Sequence, residues 1–282
     1  MRTQRGMMQE GLIEVRRLID ICNKHEDLDL SINLEAGPDP ANTPNQFLQY
    51  HGDSLVGILS FQGNREIEMC LAVHPDHRRK GIGRGLLKTA REEVRRRGRS
   101  DLLLVCEETS RSGRAFVKAV EAQYRFSEYR MRLDPRTAPG RQPTRGPVRL
   151  RQAGARDADV VARLISVSFN RSEEEERARV AQDIERSSHR FFLAQTNGEP
   201  VGSVGIAAVD RRVYIIAFNV LPEFRGRGYG RQMLAQTVDT LRGEAWEEIL
   251  IEVATENRGA LTLYRSCGFR EVTSYGYYQL DR

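Results

Sequence analysis

One glycine-rich turn occurs twice in this chain, as R-R-K-G-I-G at Arg78–Gly83 and as R-G-R-G-Y-G at Arg225–Gly230, 147 residues apart. Both copies follow an apolar run and open a stretch with helical spacing. Sliding the chain by 147 positions aligns residues 71–110 with 218–257 without a gap. Val73, Pro75, Arg78, Gly81, Gly83, Arg84, Leu87 and Arg95 then meet Val220, Pro222, Arg225, Gly228, Gly230, Arg231, Leu234 and Arg242. The shared prolines and glycines are the residues that dictate the backbone's course, so a duplicated folding unit is expected. The length of 282 residues agrees, since a domain takes roughly 100–200.

Between the copies, Asp134–Pro147 holds four prolines and two glycines and almost nothing apolar, which reads as a semi-extended linker. The expected organisation is therefore a domain over 1–134, a linker over 135–147 and a second domain over 148–282. In the second domain, residues 189–195, 200–209 and 213–220 read as three strands. A helix over about 228–241, a buried strand over 249–254 and a short helix over 258–268 follow. A hairpin is expected to close the chain. Two helices precede these strands, near 157–168 and from Ser172, whose S-E-E-E-E start combines an N-cap with an acidic first turn. The first domain reads alike, with helix 8–24, strands near 45–50, 54–62 and 66–73, helix 82–97 and strand 101–107. No opening strand is visible in it.

At 39% hydrophobic and 29% charged residues, the composition suits a soluble globular protein. No run approaches the roughly 18 apolar residues of a membrane span, and the N-terminus lacks the apolar core of a signal peptide. Cys22, Cys70, Cys106 and Cys267 form no C-x-x-C pair, and the five histidines show no metal-ligand spacing. A cytoplasmic protein with reduced thiols and no metal is expected. The net charge of +5 rests on arginines spread among 39 acidic residues, unlike the one-sided patch of a nucleic-acid binder.

A glycine-rich turn between strand and helix gathers unpaired backbone N–H groups at the positive end of a helix dipole, which suits a phosphate. The loops read R-x-x-G-x-G, so neither the G-x-G-x-x-G dinucleotide fingerprint nor the G-K-[ST] of a P-loop is present. A purely structural turn remains the alternative on spacing alone. The segments around the second loop, V-x-P-E-x-R-G-R-G-Y-G-R-x-x-L and N-R-G-A-L-T-L-Y-R-S-C-G-F, closely resemble the GNAT superfamily of acetyl-CoA-dependent N-acetyltransferases. The resemblance covers most of 148–282, and about 44–133 through the loop and repeat. The tandem layout is similar to that of the mycothiol synthases within the family, without a motif specific to them.

The resemblance implies two mixed α/β domains whose central strands splay apart to admit the pantetheine arm of acetyl-CoA. Pyrophosphate would sit on the amides of Arg227, Gly228, Tyr229, Gly230 and Arg231, with Arg225 adding charge. In the first domain the same set is Arg78, Gly81, Ile82, Gly83 and Arg84, with Val73 at the strand end. Asn219 and Val220 would offer a backbone N–H to the thioester carbonyl, and Asn257 would contact the pantetheine arm.

Moving an acetyl group to an amine requires a base for the ammonium proton and an acid for the departing thiolate, each worth roughly 10²–10⁴ in rate. Tyr264 matches the family's acid. Glu252 interrupts the apolar strand I-L-I-E-V-A, on the face opposite Ile251 and Val253, and a carboxylate there needs a partner or a purpose. It also matches an acidic residue of the ribosomal-protein alanine acetyltransferases in the same family. Glu252 is the candidate base, with Tyr214 and a water relay as the alternative.

The repeat sets Val105 opposite Glu252, Ser110 opposite Asn257, and Val117 or Ala119 opposite Tyr264. The first domain thus keeps the loop without the acid, the base or the asparagine, unless Glu66 and Glu68 replace them. The expected function is N-acetyl transfer from acetyl-CoA to a primary amine, on a small molecule or a peptide, in the second domain. A non-catalytic acetyl-CoA sensor and a basic nucleic-acid binder are the alternatives.

Overall fold

The computed structural model describes residues 2–5, 9–30, 32, 45–63, 66–99, 101–136 and 147–281. The chain forms two compact units, one of Met1–Glu128 with Thr273–Arg282, the other of Tyr129–Val272. Both are mixed α/β units. The cuts fall away from the proline-rich segment, whose residues 137–146 lie outside the described residues. The reason is that two long strands each run from one unit into the other, so composition alone does not mark the boundary.

The first unit opens with strand β1 (Arg2–Arg5) and helix α1 (Gln9–Glu26). Strands β2 (Gln46–His51), β3 (Ser54–Gln62) and β4 (Glu66–Val73) form an antiparallel meander. Helix α2 (Ile82–Arg96) then leads to β5 (Asp101–Glu107), which pairs parallel to β4. Helix α3 (Arg111–Ala119) and strand β6 (Gln123–Leu133) follow. The sheet order in this unit is β1-β2-β3-β4-β5, completed by the end of the chain's last strand. The opening strand, unseen in the sequence, pairs antiparallel with β2. Its four residues R-T-Q-R carry no apolar alternation, so no pattern could reveal it.

β3 is buried at seven consecutive positions because helices cover both sheet faces. Val15, Leu18, Ile19 and Cys22 of α1 pack on Leu48, Leu55 and Ile58 on one side. Ile82, Leu86, Leu87, Ala90 and Val94 of α2 meet Phe47, Leu59, Phe61 and Met69 on the other. Full burial of each such side chain contributes about 1.5–3 kcal/mol.

The second unit repeats the plan with β7 (Arg149–Gln152), α4 (Ala158–Phe169), α5 (Glu173–Ile184), β8 (His189–Thr196), β9 (Glu199–Val209) and β10 (Arg212–Val220). Helix α6 (Tyr229–Arg242), strand β11 (Glu248–Ala254), helix α7 (Arg258–Ser266) and strand β12 (Phe269–Gln279) complete it. The sheet order is β7-β8-β9-β10-β11-β6, with residues 129–133 supplying the β6 part. α6 and α7 share one core with β9, β10, β11 and β6, through Leu234, Val238, Leu261, Tyr264, Ile215, Ile251 and Met131. The expected closing hairpin is instead one strand, β12, whose Tyr275–Gln279 pair with β5 in the first unit. Gly276, which reads as a turn residue, leaves room for a neighbouring ring. A Cβ there would lie 2.6 Å from the Tyr278 ring.

A candidate acyl-transfer site at the splayed strands

Each unit has a parallel strand pair, and in each the pairing stops early. In the second unit β10 and β11 are in register from Arg212↔Glu248 to Ile215↔Ile251, after which β10 continues to Val220 and β11 to Ala254. In the first unit register ends at Met69↔Leu104, with β4 continuing to Val73 and β5 to Glu107. Both sheets therefore contain a gap that widens toward the glycine loop.

The loops themselves are near copies. Pro75–His77 and Pro222–Phe224 each make one 3-10 turn. Gly81 (φ +82°) and Gly228 (φ +76°) then serve as left-handed N-caps of α2 and α6. That backbone region is disfavoured for residues with a Cβ, and at this place it turns the first helical amides outward. Arg79 occupies the left-handed position taken by Gly226 in the second loop, with φ +62° against +75°. Gly83 and Gly230 admit side chains from α3 and α7. A Cβ would lie 3.0 Å from Phe116 in one and 3.2 Å from Leu263 in the other. The arginine opening each motif acts structurally in part, since Arg78 Nε donates to Val73 O at 3.0 Å and Arg225 Nε to Val220 O at 2.9 Å. Arg227 lies over the Phe224 ring, and Arg84 donates to Ala119 O.

The strands before the loops differ. β10 carries one extra residue between Ile216 and Asn219 relative to β9, and Ala217 there adopts φ +47°. This bulge re-aims the strand end. The β3–β4 ladder passes the equivalent place without a shift, from Gly57↔Val73 to Gln62↔Glu68. The buried Asn219 side chain pins the bulge: Nδ2 donates to Ser203 Oγ (2.7 Å) and Ala217 O (2.9 Å), while Oδ1 accepts from Ser203 N and Ser168 Oγ (both 3.3 Å). With its side chain so engaged, Asn219 has only its backbone to offer a ligand, as does Val220 beside it. Gly202 makes this course possible, because a Cβ on it would stand 2.2 Å from Asn219 O.

Glu252 is the first residue of β11 beyond the last paired position, and it faces away from the buried Ile251 and Val253. Its Oε1 accepts from both Nε and Nη2 of Arg130, each at 2.9 Å. Arg130 is 6% exposed, and its guanidinium lies 5.6 Å from the centre of the Tyr214 ring. Oε2 of Glu252 has no bond among the described residues. Sequence reading missed Arg130 because it precedes the proline-rich segment, in a strand that looks like the end of the first domain.

Tyr264, on α7, is 5% exposed, edge-on to Phe218 at 6.0 Å and tilted against Phe269 at 6.4 Å. Its hydroxyl has no hydrogen-bond partner among the described residues. Burial alone pushes this phenol's pKa well above the ordinary 10.0, so it holds its proton across the physiological range. Asn257 N-caps α7 by accepting from Ala260 N at 3.1 Å, and its amide nitrogen has no partner among the described residues.

The first unit presents a cavity of about 550 Å³ against its loop, lined by Leu71, Val73, Arg78, Gly81, Leu104 and Phe116 among others. Val105 and Val117 line it too, where the second unit has Glu252 and Tyr264. Among the described residues, no group of three or more His, Cys, Asp or Glu is disposed to hold a metal ion, and no helix is long and apolar enough to cross a membrane.

Comparisons with known proteins bear on the family and the fold. The acetyltransferase (GNAT) family model matches residues 159–269, and a second acetyltransferase (GNAT) domain model matches residues 44–124. The chain is 36% identical over 91 residues to the N-alpha-acetyltransferase RimI of Mycobacterium tuberculosis, covering 30% of this chain and 56% of that protein. The chain therefore spans little more than half the length of that relative. It is 25% identical over 261 residues to the mycothiol acetyltransferase of Clavibacter sepedonicus, covering 88% of this chain and 83% of that one. Among solved structures, a GCN5-related N-acetyltransferase from Sphaerobacter thermophilus shares the fold with TM-score 0.77 at 17% identity, over 99% of this chain and 96% of that one. A tandem GNAT protein from the clavulanic acid biosynthesis pathway gives 0.69 at 18% identity, over 100% and 99%.

Proposed function

Because the chain belongs to the GNAT acetyltransferase family and carries two of its domains, we propose that it moves the acetyl group of acetyl-CoA to a primary amine by direct attack, in the second unit. The observation that carries this reading is the buried, unpartnered Tyr264 phenol, which exists only in that unit. A buried hydroxyl without a partner costs about 1–3 kcal/mol, so a ligand that accepts from it is the natural explanation.

In this reading the outward amides of Arg227–Arg231 hold the pyrophosphate, helped by the charge of Arg225. The Asn219–Val220 backbone, set by the bulge, donates to the thioester oxygen as negative charge develops on it. Asn257 offers its free amide N–H to the pantetheine arm. Glu252 takes the proton from the acceptor ammonium through Oε2, while Arg130 fixes the carboxylate through Oε1. The amine attacks the acetyl carbonyl, the tetrahedral intermediate collapses, and Tyr264 protonates the departing thiolate, its phenolate recovering the second proton that the attacking nitrogen sheds. The relatives named above are an N-alpha-acetyltransferase and a mycothiol acetyltransferase by name, and both a peptide amine and a small-molecule amine suit a single carboxylate at the gap.

Tyr264→Phe tests the assignment. Thiol release from acetyl-CoA, measured over a panel of peptide and small-molecule amines, should fall about 10²–10⁴-fold. Acetyl-CoA affinity by calorimetry should stay the same. An unchanged rate would remove Tyr264 from the mechanism.

A further inference from the structure

The two glycine loops differ in what their arginine meets. In the second unit the Arg225 side chain makes its single bond to Val220 O and forms no ion pair among the described residues. In the first, Arg78 Nη1 is ion-paired with Oε1 of Glu26, near the C-terminal end of α1. The other oxygen of Glu26 accepts from Ser112 N (3.1 Å) and Ser110 Oγ (3.2 Å), at the start of α3. Arg78 follows β4, while Ser110 and Ser112 follow β5. One carboxylate thus joins the two sides of the open end of the gap, and all three of its partners line the 550 Å³ cavity. Ser110 is also the residue that the repeat sets opposite Asn257.

We propose that Glu26 closes the first unit's cleft to coenzyme A thioesters, as an internal carboxylate that takes the guanidinium and the α3 donors a phosphate-bearing ligand would need. The Glu26 side chain is only 5% exposed. Burial alone would raise the carboxyl's pKa, but the hydrogen bonds from Ser112 and the charge of Arg78 outweigh it and bring it down to about 2. The latch is therefore ionised at every physiological pH and does not open by protonation. It gives a physical reason why a unit can keep the loop, the splayed strands and the cavity and still leave the coenzyme to its twin. The inference rests on the reading of the second unit as the coenzyme site only for its internal control.

Amide hydrogen–deuterium exchange on the full chain, with acetyl-CoA as the probe, reads both loops at once. In the natural protein, residues 225–231 should gain protection and residues 78–84 should not. In Glu26→Gln, which keeps the shape and removes the charge, residues 78–84 should slow at least tenfold. Glu26→Ala, which removes the carboxylate and leaves every donor around it in place, serves if the first variant does not fold. Protection of 78–84 in the natural protein overturns the latch, as does its absence from the variants while 225–231 respond. If only the variants respond, and only at 78–84, the latch stands and the coenzyme site of the second unit falls. No protection anywhere in any of these proteins overturns both.

Discussion

Replacing Glu26 by glutamine should change the stability of the first unit in a pH-dependent way that can be worked out in advance. The Glu26 carboxyl falls from the ordinary 4.5 to about 2 in the folded chain. A depressed carboxylate contributes stability that is fully present above the unfolded value near 4.5 and is lost as pH falls through the folded one. The difference corresponds to about 3 kcal/mol at pH 7, at about 1.4 kcal/mol per pKa unit. By pH 3 the natural protein should have lost about 2 kcal/mol of this. Glutamine mimics the protonated form at every pH. The variant should therefore be about 3 kcal/mol less stable at pH 7 and only about 1 kcal/mol less stable at pH 3. Other carboxylates, including Glu93, which Arg96 and Arg97 hold at about 2, titrate alike in both proteins and cancel. Urea unfolding by far-UV circular dichroism at both pH values measures the gap, with fluorescence of the one tryptophan, Trp246, reporting the second unit. A gap that stays constant between pH 7 and pH 3 would refute the ionised latch.

Gly202→Ala should separate the reacting centre from the coenzyme's anchor. The new methyl group meets backbone rather than a movable side chain, so the Asn219–Val220 segment must shift by about 1 Å, enough to cost about 100-fold in turnover. Acetyl-CoA binding by calorimetry should change little, and wild-type turnover in G202A would argue against a role for that backbone. Arg130→Gln should lower thiol release with the best acceptor by about tenfold or more, because Glu252 loses both bonds on Oε1. Arg130→Lys, which restores charge without the fork, should recover part of the rate, and an undiminished rate in both variants would make the pair purely structural.

Much of this protein is written locally in its chain. The glycines of the two loops, the apolar period of α2 and α6, the buried run of β11 and the N-cap of α5 are short-range signals, and each marks its element within a residue or two. Local signals fail where partners are distant. β1 has no pattern of its own and exists because β2 offers an edge. β12 reads as a hairpin because Ser-Tyr-Gly has turn chemistry, yet pairing with β5 keeps it straight. The sequence by itself determined the duplication, the loops and the candidacy of Glu252 and Tyr264. Tertiary structure alone decided the bulge at Ala217, the Arg130 fork on Glu252 and the Glu26 bridge. The two ion pairs join residues far apart in the chain (122 positions for Arg130 and Glu252, 52 for Arg78 and Glu26), and the bulge is set by pairing between neighbouring strands, so only packing brings these partners together.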